Sequence, residues 1–458
     1  MRPSRKLSLM KQRETRDKKS VSKISSNKTL IFSDLHIHSK YSRATSMEMN
    51  LESIARFGEL KGLNLIGTGD FTHPKWIKNL KASLIEISNT NLYRLKTDPT
   101  HNISFMITGE VCTIFSSAGK VRKIHHLLLT PSIETAQQIN DKILLNGDLS
   151  IDGRPILAMR ASELVEKIME VSKDNAVIPA HIWTPWYSLF GSINGFEKIE
   201  DCYEDSTRHI FALETGLSSD PPMNWRISSI DRFTLISNSD SHSPYPYRLG
   251  REANAFEVEN LSYDAILKAI RENDSNKFKF TIETNPAYGK YHWTGHRACG
   301  VSMSPNASKK LGGRCPKCNK PMTRGVDERV EDLANRQLGY KPQDAINYLH
   351  LLPLHEVIRT ALNIKSLYSP SIWRIFNKLI SVFNNEYNIL LNIPFESLKK
   401  ATEPTIAKLI IDSRYNRVKI IPGSDGVYGK IELFDENKST MQQNEKIQRK
   451  QSSLELFI

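Results

Sequence analysis

Cysteine is scarce in this chain: five among 458 residues, and an odd number. That argues against a disulfide framework and for a reducing compartment, with the cytoplasm as the expectation. Long apolar runs are missing as well. None approaches the roughly 18 residues that a membrane span requires. The basic N-terminal stretch lacks the apolar core of a secretory signal, so none is expected. Acidic residues are absent from residues 284–326, where Lys290, Arg297, Lys309, Lys310, Arg314, Lys317, Lys320 and Arg324 stand unopposed. Residues 1–28 are nearly as one-sided, with ten Lys/Arg against Glu14 and Asp17. Together these segments exceed the formal net charge of +13, which leaves the rest of the chain slightly acidic. A basic tail is often only a solvated arm. A second basic block tied to cysteines points instead to a polyphosphate partner such as nucleic acid.

What is present is a repeating alternation. "TLIFSDLHIHS", "LNLIGTGD", "ISFMITGE", "IHHLLLT", "NAVIPAH", "IFALETG" and "FTLISNSDSH" read as strands. "NLESIARFGELKG", "ASELVEKIMEVSK" and "SYDAILKAIREND" carry apolar residues at three- and four-residue spacing and read as helices. Strand-then-helix units imply an α/β domain over residues 29–283 with a mainly parallel sheet, open or closed into a barrel. Residues 284–326, rich in Gly, Lys and Cys, form a separate small module. From 327 to 433 the pattern is mostly helical and ends in "RVKIIPGSDGVYGKIELF", a hairpin with a Gly/Asp turn. Residues 434–458 have the composition of a linker followed by a short peptide.

"IFSDLHIHSKYS" places Asp34, His36 and His38 on one face of an extended segment. Neighbouring imidazoles repel when protonated and waste hydrogen-bonding capacity when dry, unless a cation lies between them. The alternative is a chance pair of exposed histidines. The pattern then repeats at other strand ends: Asp70 with His73, Glu110, His125 with His126, His181, and Asp240 with His242. Seven of the thirteen histidines and three carboxylates thus fall where the strands of a β/α fold converge on one face. Imidazole and carboxylate without thiolate suit Zn²⁺, Mn²⁺ or Fe²⁺.

"DLHIHSKYS", the Asp of "GTGD", "GE", "PAH" and "SDSH" resemble, in that order, the motifs of the polymerase-and-histidinol-phosphatase (PHP) family. The resemblance implies a distorted β/α barrel, a cluster of two or three divalent metals (Zn, Mn or Mg) and phosphoester hydrolysis. It implies His36, His38, Asp70, Glu110, His181, Asp240 and His242 as ligands, joined by one of His125 and His126. Strand alternation lets only one of that pair face inward. Phe71 stands where the family has His after Asp, so either Asp70 or His73 is the ligand there. Glu110 is the expected bridging carboxylate. Asp240, with Glu110 and His181, is the expected catalytic group, able to ligate a metal and orient the attacking water.

"GHRACG…GRCPKCNK" gives His296-x2-Cys299, fifteen intervening residues, then Cys315-x2-Cys318. Paired knuckles of this kind make a tetrahedral structural zinc site. His292 is an alternative with the wrong spacing to Cys299, and a pair of free thiols is the plainer reading. Cys112 and Cys202 are left over and are expected in apolar packing. At "QSSLELFI", Leu454, Phe457 and Ile458 fall at i, i+3 and i+4 with Gln451 at the base. This resembles the peptide by which DNA-processing proteins bind a PCNA-type sliding clamp, with Ile458 in place of the second aromatic.

The order PHP domain, zinc module, helical domain ending "DGVYGK" and clamp peptide resembles the endonuclease Q family in its archaeal form, over residues 29 to about 433. "GTGDFTHP" and "YHWTGHRACGV" are its narrowest marks. The resemblance implies a DNA repair endonuclease that cuts 5′ to deaminated bases and abasic sites, with DNA and the clamp as partners and no membrane. The competing functions are a small-molecule phosphatase, which has no use for the basic segments, and a non-catalytic zinc-dependent DNA-binding adaptor.

Overall fold

The computed structural model describes residues 28–432. The segment Thr29–Asp34 (β1) extends as its apolar run dictates and burial deepens toward its C-terminal end. The helix Leu51–Lys61 follows. Asn50 caps it by accepting the Ser53 N–H, Leu51, Ile54 and Ala55 bury one face, and Gly62 at φ 100° stops it. That helix returns the chain to Leu65–Gly67 (β2), parallel to β1 with Ser33 opposite Leu65. Ser104–Ser117 (β3) runs parallel to β2, with Ile66 opposite Phe105.

From there the sheet departs from the mainly parallel expectation. The chain turns at Ala118 and Gly119, both at positive φ, and comes straight back as Lys120–Thr130 (β4), antiparallel to β3 along its whole length. A short turn leaves no room for the crossover helix that parallel pairing needs. Ala176–Pro179 (β5) is antiparallel to β4 in turn. Ala212–Glu214 (β6) is tied to the end of β5 by the Ile182 N–H donating to the Glu214 carbonyl, and Thr234–Ile236 (β7) pairs parallel with β6. The ring closes just beyond the strands, where the His38 N–H donates to the Ser241 carbonyl. The result is a distorted barrel of mixed strand direction. Ala253–Val258 (β8) and Phe278–Glu283 (β9) extend the sheet outward from β1 as antiparallel neighbours.

Residues 347–350, within the stretch read as helical, add one more strand parallel to β9. The helices Leu354–Ala361, Pro370–Phe383, Glu386–Leu391, Phe395–Ala401 and Pro404–Arg414 then share a core of their own around Ile358, Phe376, Leu379 and Ile406. The expected hairpin forms from Lys419–Ile421 and Lys430–Glu432, turning through Asp425 (φ 43°) and Gly426 (φ 83°). It packs on the cysteine-bearing module: the Trp293 N–H donates to the Gly423 carbonyl and Asp425 accepts the Arg297 N–H at 2.5 Å. The basic arm, the linker and the peptide of Gln451, Leu454, Phe457 and Ile458 lie outside the described residues. Among the described residues no helix is long and apolar enough to cross a membrane.

One buried ion pair fastens the helical part to the barrel. Lys61 Nζ donates to Glu386 Oε1 at 2.7 Å and to the Pro246 carbonyl at 2.9 Å, with both side chains inaccessible to solvent. Burial lowers the Lys61 ammonium and raises the Glu386 carboxyl, so each depends on the other to stay charged. Removing one partner strands a charge in the interior. Lys61→Met should therefore cost about 3–5 kcal/mol in denaturant unfolding, and Lys61→Met with Glu386→Leu should recover most of it.

Candidate metal centre

Beyond β1 the chain stays extended, so Leu35 and Ile37 point into the core while His36 and His38 point together into the barrel mouth. The His36 Nδ1–H donates to Glu214 at 3.0 Å. Its Nε2 is then a bare lone pair, buried, without a hydrogen-bond partner, 3.4 Å from Glu110 Oε2 and 3.8 Å from Asp240 Oδ1. The His38 Nδ1–H donates to Asp70 Oδ1 at 2.9 Å, and its Nε2 lies 3.0 Å from Asp240 Oδ1 and 3.2 Å from Glu110 Oε2. Each ring is oriented by a carboxylate on one nitrogen and offers the other, which is how metal-ligating histidines are held. An orphaned buried lone pair facing two carboxylates is costly unless a cation joins them. The residues present fit a divalent ion.

Glu110 faces a second group with its other oxygen. Oε1 is 2.7 Å from His125 Nδ1 and 3.1 Å from His181 Nε2, and those two nitrogens are 3.2 Å apart. Two sets of ligand atoms therefore share one carboxylate: His36, His38, Glu110 and Asp240, and Glu110, His125 and His181. Burial alone raises the Glu110 carboxyl, yet His125, Arg154 and His36 outweigh it and hold it well below the usual range. Burial likewise lowers His36, and Glu214 and Glu110 outweigh it upward. The cluster demands positive charge, and divalent cations meet that demand with neutral imidazoles as ligands.

The strand ends deliver these groups through strained backbone. Asp70 (φ 49°), His181 (φ 33°) and Asp240 (φ 48°) all sit in the left-handed region, at about 1–2 kcal/mol each. Against His181 packs Gly216, where an added Cβ would lie 2.5 Å from the His181 Cβ.

The other expected ligands take different places. Of the adjacent pair, His125 is the one that faces in. His126 points to the opposite face, between Thr113 Oγ1 and the Tyr203 hydroxyl, both at 2.9 Å. Burial takes its imidazole down to about 3, so it is a neutral structural residue. Neither Asp70 nor His73 joins the ligand groups. Asp70 is consumed by His38, the Ser39 N–H and hydroxyl, and the Ser42 hydroxyl. His73 caps the helix Pro74–Ser83 by accepting the Lys75 N–H, and stacks on Tyr41. His242 stays at the rim outside both groups, its ring 4.4 Å from that of His38 and its Nδ1–H on the Asp240 carbonyl. Asp34, expected beside His36, turns away to accept the Ser239 and Gly250 N–H groups, and burial pushes it up to about 6.

Two residues of the site were missed. Glu214 ends β6 in "IFALETG", and a carboxylate at a strand end is the signal that marks it. Arg154 lies in an irregular loop with its NH1 3.3 Å from Glu110 Oε2, and no motif marks it.

In the basic module, His296, Cys299, Cys315 and Cys318 bring one ligand atom each to within 4.8 Å of one another, and His292 is not among them. Cys112 and Cys202 are buried in packing. A cleft of about 910 Å³ opens between the helix Leu354–Ala361, the loop after it and the C-terminal hairpin, lined by Arg248, Tyr288, Arg359, Lys365, Tyr368 and Tyr428 among others.

Residues 353–417 match the family described as the MJ0043 C-terminal domain. MJ0043 of Methanocaldococcus jannaschii is 32% identical over 273 residues, 57% of this chain and 33% of that one, so this chain spans about a third of its length. YqxK of Bacillus subtilis strain 168 is 27% identical over 420 residues, 88% of this chain and 99% of that one. The crystal structure of the lesion-specific endonuclease PfuEndoQ from Pyrococcus furiosus superposes with a TM-score of 0.79 at 33% identity, covering 90% of this chain and 98% of that one. Endonuclease Q in complex with a 27-mer duplex substrate carrying an abasic lesion at the active site gives a TM-score of 0.79 at 34% identity, with coverage of 90% and 99%.

Glu214→Gln and Asp70→Asn should each weaken Mn²⁺ binding about 10- to 100-fold in calorimetric titrations of chelator-treated protein, while His126→Gln leaves it unchanged. Cys315→Ser should remove one tightly held zinc per chain, read by elemental analysis, and leave the barrel's Mn²⁺ affinity intact.

Proposed function

The chain belongs to the endonuclease Q family, and from that premise we propose that it is a metal-dependent DNA repair endonuclease. It hydrolyses the phosphodiester on the 5′ side of deaminated bases (hypoxanthine, uracil, xanthine) and of abasic sites. The observation that carries the reading is the Glu110 carboxylate shared between two groups of ligands at the barrel mouth. Bound there, divalent cations would screen phosphate oxygens, bring a water's pKa toward neutral and stabilise the departing oxygen.

The protein's own residues divide the remaining work. His36 and His38 hold their geometry through buried contacts to Glu214 and Asp70. His181 is fixed from its backbone, whose N–H donates to Glu214 at 2.9 Å. Asp240 differs from Glu110 in keeping 29% of its side chain exposed, so it is the carboxylate placed to accept a hydrogen bond from an incoming water. We assign it, with Glu110 and His181, the catalytic role.

Reading a lesion that differs by one exocyclic group requires the nucleotide to leave the stack. The cleft beside the C-terminal hairpin combines Tyr288, Tyr368 and Tyr428 with Arg248, Arg359 and Lys365. Rings and cations in that mixture suit an unstacked base and its flanking phosphates. The zinc module, joined to the hairpin, presents the acid-free basic segment as the strand grip. The peptide of Gln451, Leu454, Phe457 and Ile458 docks the protein on a sliding clamp.

End-labelled duplexes carrying hypoxanthine, uracil, an abasic site or no lesion, incubated with Mg²⁺ or Mn²⁺, should be nicked 5′ to the lesion and nowhere else. Asp240→Ala should lower the rate by at least about 10²-fold. Intact lesion duplexes with both ions would overturn the assignment.

A further inference from the structure

Among the described residues, Arg154 is the one Lys or Arg side chain paired with the shared carboxylate, and its loop is built to put it there. Gly153 is wedged against the segments that orient His38: an added Cβ would lie 2.3 Å from both Asp70 Oδ2 and Ser42 Oγ. The Gly153 N–H donates to the Tyr41 carbonyl, and the Thr72 hydroxyl donates to the Gly153 carbonyl at 3.0 Å. Asp152 accepts the Arg154 and Arg43 N–H groups at 3.2 Å each. With the backbone stitched down on both sides, the guanidinium is delivered onto Glu110 Oε2, the same oxygen that faces His36 and His38.

A guanidinium offers five N–H donors in a planar fork. Among the described residues, Glu110 is the one hydrogen-bond partner of the Arg154 side chain, through NH1 at 3.3 Å. A quarter of the side chain is exposed, whereas Glu110 has no exposed surface. A group needed only to neutralise a buried carboxylate would be buried with it and fully paired. This one stays partly exposed beside the ligand cluster, and its fork has the geometry that recognises phosphate oxygens.

We propose that Arg154 is a substrate-contacting residue: it takes a non-bridging oxygen of the scissile phosphate while NH1 stays on Glu110. The proposal rests on the nuclease reading and deepens it, by assigning the fixed positive charge that meets the phosphate independently of the cations. The contact is a hydrogen-bonded ion pair, and no bond is made or broken at the guanidinium.

The test uses the full chain with Arg154→Ala and Arg154→Lys. Mn²⁺ affinity, measured by calorimetry without DNA, should match wild type in both. Binding of the lesion duplex in Ca²⁺ should weaken for Arg154→Ala, and its single-turnover nicking rate should fall about 10²–10³-fold. Arg154→Lys should restore part of that loss, since a point charge replaces the fork. A stereopure methylphosphonate at the scissile linkage should then be less than additive with Arg154→Ala for one diastereomer only. Wild-type nicking by Arg154→Ala, loss of its Mn²⁺ affinity, or additive losses for both diastereomers would each overturn the proposal. A wild-type protein that nicks no lesion overturns the nuclease reading itself, and the proposal with it.

Discussion

A carboxylate without solvent, Glu110, lies between imidazoles from three separate segments and a guanidinium from a loop. In a medium of low dielectric such a group is intolerable alone, and five side chains surround it. That constraint orders the barrel mouth. His36 and His38 must present one particular nitrogen, so each is gripped from behind by a carboxylate, Glu214 or Asp70. Those carboxylates in turn take their own donors: Asn238 and the His181 N–H for Glu214, Ser39 and Ser42 for Asp70. The polar interior is a continuous network because no member can be left unmatched.

The antiparallel excursion of β3 and β4 is what makes the sharing possible. Across that pair Cys112 is opposite His125 and Glu110 is opposite Leu127, so Glu110 and His125 are diagonal neighbours on one face. Val111 is opposite His126 on the other face, where Tyr203 and Thr113 satisfy it. A single residue of register separates a ligand from a structural histidine. The left-handed backbone at Asp70, His181 and Asp240 belongs to the same economy of space, turning side chains into the mouth at the point where the strands end.

Outside the barrel, the basic cysteine-bearing module is completed by distant sequence. The hairpin at residues 419–432 lies on residues 287–297, bonded through Trp293, Tyr288 and Arg297. The helices between them are anchored to the barrel by Lys61 and Glu386. Basic side chains, rings and the cluster of candidate metal ligands therefore share one body, which is what a protein that holds a strand and cuts it at a fixed place needs.

Much of this was written in local pattern. Strand and helix runs, the Asp-Gly turn, the strand-end placement of His36, His38, His181 and Asp240, and the four zinc-type ligands follow from period and spacing, which act over a few residues; Glu110, expected at a strand end, lies mid-strand because β3 runs on to Ser117. Direction of pairing did not, because the short turn at Ala118–Gly119 overrides the β-then-α habit of the flanking sequence. Nor did the parts played by Asp70, His73, Glu214 and Arg154. Whether a carboxylate ligates or orients, and whether an arginine reaches a buried oxygen, depends on which side chains arrive from tens of residues away and how little space remains between them. Residue types and their local geometry were settled by the sequence. Their partners were decided only when the barrel closed and every buried charge had to find one.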